Sequence, residues 1–202
     1  MTVVGKNYIF IHVPKSAGQS VTSRLGGLTK SVPGHAPLFY LAEETRKSRF
    51  AFGFVRNPWA RMVSVYAFMC NKPVRRNEDP EYQNAMRRMG FETWLFEDAF
   101  FAYDDRLWKS DDLAPIQRRS QMFWVDGCDF IGKVETLDAD FAHVAEIIGL
   151  KPRWRERFGQ TRGVPHKNKS QHKDYRSYYS DDAAVFVARH FAPEIERFGY
   201  DF

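Results

Sequence analysis

From residue 8 to residue 13 the chain is apolar and largely β-branched or aromatic (Tyr8, Ile9, Phe10, Ile11, Val13), and the run stops at Pro14. A polar interval of Lys15, Ser16, Ala17, Gly18, Gln19 and Ser20 follows, after which Val21, Leu25 and Leu28 recur at helical spacing. The pattern predicts a strand, a tight turn and a helix. It repeats downstream. Residues 49–55, RFAFGFV, read as a buried strand ending at Arg56, with Asn57 as N-cap and Pro58 as first helical residue. Trp59, Met62, Val63 and Tyr66 then fall at i, i+3, i+4 and i+7, a core-facing stripe. A third strand is expected over 129–134, then a helix from about Asp138 that turns Phe141, Val144, Ala145 and Ile148 inward and ends at Gly149. Short helices are expected over 38–47 and within 91–103, and another starts at Asp79-Pro80. Ser180 caps a last helix through Ala183, Phe186, Val187 and Phe191.

Strands that each run into a helix imply a three-layer α/β/α domain with a mostly parallel central sheet, one domain over 1–202. Ligands of such a sheet bind beyond the carboxyl ends of its strands. Each junction aims backbone N–H groups and the positive end of a helix at one point, which favours a phosphate or sulfate. Lys15 adds a cation to the first junction, and Ser16 and Ser20 add hydroxyls. Arg56 stands at the mouth of the second, with Ser64 further along its helix, and arginine grips phosphate bidentately. His35, in a loop between Gly34 and Ala36-Pro37, is the best-placed candidate base because imidazole titrates near neutrality. The basic stretch 151–174, with His166, Lys167, Lys169 and His172, is either a solvated loop or a cationic flap over a charged ligand.

Composition narrows this picture in two places. The net charge of +5 favours an anionic partner without choosing among nucleic acid, acidic polysaccharide and nucleotide. Cys70 and Cys128 are far apart in sequence and form no CxxC pair, so neither a disulfide framework nor a zinc signature is expected. Asp104, Asp105, Asp111 and Asp112 read as solvated loop acids, and no metal site is expected. No apolar run approaches the roughly 20 residues that span a bilayer, and no leader is read at the N-terminus. A cytoplasmic protein is the expectation.

The first junction fails the Walker A pattern GxxxxGK[ST], because Lys15 precedes Gly18 and Gly5-Lys6 is followed by Asn7. It resembles instead the loop PK[TS]GGTS of sulfotransferases that use 3′-phosphoadenosine 5′-phosphosulfate (PAPS). Residues 56–66, RNPWARMVSVY, are similar to that family's element RNPYxRxxSxY, and residues 130–137, FIGKVETL, to its segment F-I-G-R-x-E-x-L. Ala17, Gln19, Trp59 and Lys133 depart from the common residues, and none of these changes removes a charge.

The resemblance, nearest to the carbohydrate-type, 2-O-sulfotransferase-like branch with its short bacterial members, implies a P-loop-hydrolase-like fold. It implies that Lys15 neutralises the leaving nucleotide and that Ser16, Ala17, Gly18, Gln19 and Ser20 cradle the 5′-phosphate. Arg56 and Ser64 then hold the 3′-phosphate, and Lys169 in the basic loop contacts the cofactor. His35, in a Gly-His segment after the first helix, becomes the base. The implied reaction moves sulfuryl from PAPS to an acceptor hydroxyl, carbohydrate or glycolipid, leaving 3′-phosphoadenosine 5′-phosphate (PAP), with no metal and no nucleic acid. A P-loop-type nucleotide or sugar kinase and a non-catalytic PAP- or polyanion-binding protein are the alternatives.

Overall fold

The computed structural model describes residues 2–26, 30–32, 35–71, 80–98, 119–151 and 173–202. Its strands are β1 (Thr2–Val4), β2 (Tyr8–Ile11), β3 (Lys30–Val32), β4 (Phe50–Val55) and β5 (Phe130–Lys133). The helices are α1 (Gly18–Leu25), α2 (Glu43–Lys47), α3 (Pro58–Asn71), α4 (Pro80–Met89), α5 (Phe91–Thr93), α6 (Met122–Val125), α7 (Leu137–Ile147), α8 (Asp181–His190) and α9 (Ala192–Phe198). The chain falls into two units, each discontinuous in sequence: Met1–Arg56 with Gln121–Asn168, and Asn57–Ser120 with Lys169–Phe202.

The first unit carries the sheet, in the order β3-β1-β2-β4-β5. β2 pairs parallel with β4 and β4 parallel with β5, whereas β1 is antiparallel to both β2 and β3. The protein is α/β as expected, but its sheet is mixed rather than mostly parallel. The reason is local. β1 doubles back into β2 through a turn closed by the Gly5 amide on the Tyr8 carbonyl (2.9 Å), and β3 adds to the far edge of β1. Antiparallel neighbours need no crossover helix, so strands this short escape a strand-then-helix reading.

Alternation along β2 and β4 sends Phe10, Phe52 and Phe54 to one face, where they meet Val21 and Leu25 of α1 and Leu137, Phe141 and Val144 of α7. Ile9 and Ile11, on the other face, are fully buried too, as expected for central strands covered on both sides. On that face α6 approaches β4 so closely that a Cβ on Gly53 would lie 2.8 Å from Val125 Cγ1. Gly149 caps α7 with φ +66°.

The second unit is built on α3. Asn57 caps it through Oδ1, which accepts from the Ala60 amide (3.1 Å), with Pro58 at the first helical position. The predicted stripe is inward: Trp59, Met62 and Val63 are buried with Met86, Phe91, Trp94 and Val187, and Tyr66 packs beside them. Trp59 Nε1 donates to the Ala184 carbonyl (2.9 Å), so this aromatic is structural.

Two expected helices are interrupted. The helix over 38–47 is a 3₁₀ turn, Leu38–Tyr40, and α2, separated by an extended Leu41 (φ −77°, ψ 147°). The last helix, capped by Ser180 Oγ on the Ala183 amide, divides at Phe191 into α8 and α9, with Pro193 in the first turn of α9. Of the stretch 91–103, residues 91–98 are helical, the latter part as a π turn, Trp94–Asp98, and 99–103 lie outside the described residues.

Candidate active site

β2 and β4 are neighbouring parallel strands with Ile11 opposite Gly53, so the chain leaves both at the same edge of the sheet. The loop bearing Lys15 follows β2, and Arg56 follows β4. The sheet therefore brings the two anion-ready junctions side by side.

The first loop is tightly wound. Lys15 and Ala17 both take left-handed backbone conformations, φ 65° and φ 57°. The Ser16 amide closes back on the Val13 carbonyl (3.3 Å), and the first helical bonds run from the Ser20 and Val21 amides to the Ala17 carbonyl (3.0 and 3.1 Å). The amides of Gly18 and Gln19 precede that ladder, in the position where helix N-termini take anions. A Cβ on Gly18 would lie 1.8 Å from His12 Cδ2, so the loop runs close against the His12 ring and a side chain here would force that ring to move. Left-handed geometry costs alanine roughly 1 kcal/mol that glycine does not lose. Ala17→Gly is therefore expected to stabilise the protein slightly, by up to about 0.6 kcal/mol once the added unfolded-state entropy is subtracted. A thermal melt should rise by about 1–2 °C at most; a clear fall would show that Ala17 carries no strain.

Lys15 is partly buried, and its ammonium is brought down to about 8, first by burial and second by repulsion from the Arg56 guanidinium. Two cations are thus held near one another at the strand ends, an arrangement that an anion with charge at two points relieves. Ser16 and Ser20 are buried, and Gln19 is exposed on the first turn of α1.

One side chain ties the junctions together. Gln121, fully buried, accepts at Oε1 from Ser16 Oγ (3.0 Å) and from the Arg56 amide (2.8 Å), and its Nε2 donates to the Arg56 carbonyl (2.7 Å). The amide orientation is dictated by chemistry, since a backbone N–H only donates and a carbonyl only accepts.

His35 is held rather than solvated. Its Nδ1 lies 2.8 Å from the His12 carbonyl, which only accepts, so Nδ1 carries the proton and the lone pair of the neutral ring sits on Nε2. Its own carbonyl accepts from Trp124 Nε1 (2.8 Å), and its ring meets the His12 ring edge-on at 4.6 Å. Lys15, Ser16, Ala17, Gly18, Gln19, Ser20, His35 and Arg56 all belong to the sheet-bearing unit.

Ser64 belongs to the other unit, buried on α3. Lys169 lies outside the described residues, as do His166, Lys167, His172 and the four loop aspartates. Arg61, three residues before Ser64, is a core residue: its Nη1 donates to the Arg119 carbonyl (3.1 Å), and burial brings its pKa down to about 10 against the opposing pull of Glu194.

Sequence reasoning missed His12, Gln121 and Trp124. His12 was within reach, as a polar residue closing an apolar strand just before the loop. Gln121 and Trp124 carry no local signal, since their partners lie 65 to 105 residues away.

The fold and this loop define a class, an α/β protein with two cations, Lys15 and Arg56, at the ends of adjacent parallel strands. The family follows from the chain as a whole: the sulfotransferase family model matches residues 4–201, and the protein belongs to that family. It is a transferase of sulfuryl groups. No curated protein and no solved structure matches the chain. Among the described residues, no helix is long and apolar enough to cross a membrane.

Proposed function

We propose that the protein transfers the sulfuryl group of PAPS to an acceptor hydroxyl, with a carbohydrate or glycolipid as acceptor. The observation that carries this reading is the pairing of Lys15 and Arg56 at the ends of neighbouring parallel strands, close enough for one cation to depress the other. PAPS is an adenosine with charged groups at its 5′ and 3′ positions, and two separated cations suit it better than a single phosphate. The same reading carries a three-layer fold of the P-loop-hydrolase kind.

In this scheme the loop amides that precede the helical ladder, those of Gly18 and Gln19, and the Ser20 hydroxyl hold the 5′-phosphate, and Arg56 holds the 3′-phosphate. The acceptor oxygen attacks sulfur in line, and a new S–O bond forms as the S–O bond to the 5′-phosphate breaks. His35 takes the acceptor proton at Nε2. Lys15 neutralises the charge that grows on the departing PAP.

Titration with PAP tests the donor assignment. Wild type is expected to bind PAP and to gain thermal stability from it, while Arg56→Ala loses ~10-fold or more in affinity, consistent with a hydrogen-bonded charge contact. Stabilisation by ATP-Mg with none by PAP would overturn the reading in favour of a kinase. Steeply salt-dependent binding of PAP without transfer would leave a non-catalytic binding protein.

A further inference from the structure

We infer that Gln121 is the positioning residue that makes the two junctions act as one bivalent receptor, and that it thereby sets selectivity for a 3′,5′-bisphosphorylated adenosine over a monophosphate. This rests on the PAPS reading above. The Gln121 side-chain amide pairs with the Arg56 peptide as a further strand would, using its N–H against the carbonyl and its oxygen against the amide. The same oxygen's second lone pair takes the hydroxyl of Ser16, next to Lys15. Both lone pairs of Oε1 are thus used, and the loop after β2 is held in register with the exit of β4 through one planar group.

That group is itself clamped. Gln121 opens α6, where its carbonyl accepts from the Trp124 and Val125 amides (3.0 and 3.3 Å). Trp124 holds the His35 carbonyl and Val125 lies against Gly53 of β4. One short helix, absent from any periodic signal in the sequence, thereby fixes both donor-binding junctions and the candidate base. A glutamate in its place is nearly isosteric but has no N–H for the Arg56 carbonyl, and it sets a negative charge beside the cations meant for the ligand.

Two phosphates on one ligand gain affinity only if both sites are engaged at once, and that gain depends on the distance between the sites being right. The ratio of dissociation constants, adenosine 5′-monophosphate over PAP, isolates this gain. Calorimetric titration of the full chain should give a ratio of about 10² or more in wild type. Gln121→Glu and Ser16→Ala should each lower the ratio by about tenfold, the second by cutting just the loop arm. A side chain that merely touched the 5′-phosphate would weaken both ligands equally and leave the ratio unmoved, as would one that merely supported the fold. A wild-type ratio near one would sink the PAPS reading itself. A high wild-type ratio preserved in the variants would overturn the role of Gln121 alone. If Gln121→Glu does not give a cooperative thermal melt, Ser16→Ala decides.

Discussion

Lys15→Ala is expected to reduce sulfuryl transfer from PAPS by ~10²–10³-fold, the loss typical of removing one preorganised group aimed at developing charge. PAP binding should fall less, because the charge matters most while the S–O bond to the nucleotide is breaking. The residue is poised for this. Burial and Arg56 bring its ammonium to about 8, so it is charged at neutral pH, and it is uncomfortable enough that an incoming anion improves its surroundings. The sign of the pH dependence follows. In the ligand-free protein the folded state holds Lys15 less protonated than the unfolded chain between about 8 and its ordinary value of 10.5, so this residue adds stability as pH rises through that window. Binding runs the other way. An anion raises the lysine's affinity for its proton, so PAP binding above pH 8 should take up a proton, visible as buffer-dependent calorimetric heat. Loss of that heat in Lys15→Ala would assign the uptake to this lysine. Near-normal turnover in the variant would remove Lys15 from the reaction.

How much of this could be read beforehand depended on the sequence distance over which each feature is determined. The β2 loop and the β4 exit were legible because each is a local pattern, an apolar run ended by Pro14 or followed by Asn57-Pro58, and the caps Asn57 and Ser180 act within three residues. A parallel run of β2 and β4 was expected from those patterns, whereas their being neighbours, which sets Lys15 beside Arg56, is a matter of strand order and shows only in the fold. β1 and β3 were not legible, as three-residue strands have no measurable period and pair through register alone. Nor was the break at Phe191, where the apolar spacing runs on although Pro193 cannot supply the amide a continuous helix needs. Least legible was the bracket formed by Gln121 and Trp124. A glutamine in a polar stretch becomes informative only when the fold closes it onto Ser16 and Arg56. His35 changed most between sequence and structure. Read as a loop residue, it is held by a carbonyl on one side and an indole on the other.

His35→Ala is the second large effect expected, a ~10²–10⁴-fold loss of turnover with PAP affinity within about twofold of wild type, the range in which general bases operate. The geometry separates the ring's two functions. Nδ1 is committed to the His12 carbonyl, which orients the imidazole, and Nε2 is the atom with chemistry to do. Asparagine can keep a donor near the Nδ1 position and has no basic nitrogen, so His35→Asn should hold the loop and remain as inactive as the alanine. If asparagine restored activity, His35 would be a strut for the loop and the proton would leave by another route. The rate profile adds a readout independent of folding. A base must be neutral to accept the proton, so wild-type turnover should fall as the medium is acidified through the range where histidine protonates, and the residual activity of both variants should lack that limb. A limb that survived the substitution would belong to another group, and His12, whose ring lies 4.6 Å away and rests on Gly18 of the loop, would then be the residue to replace.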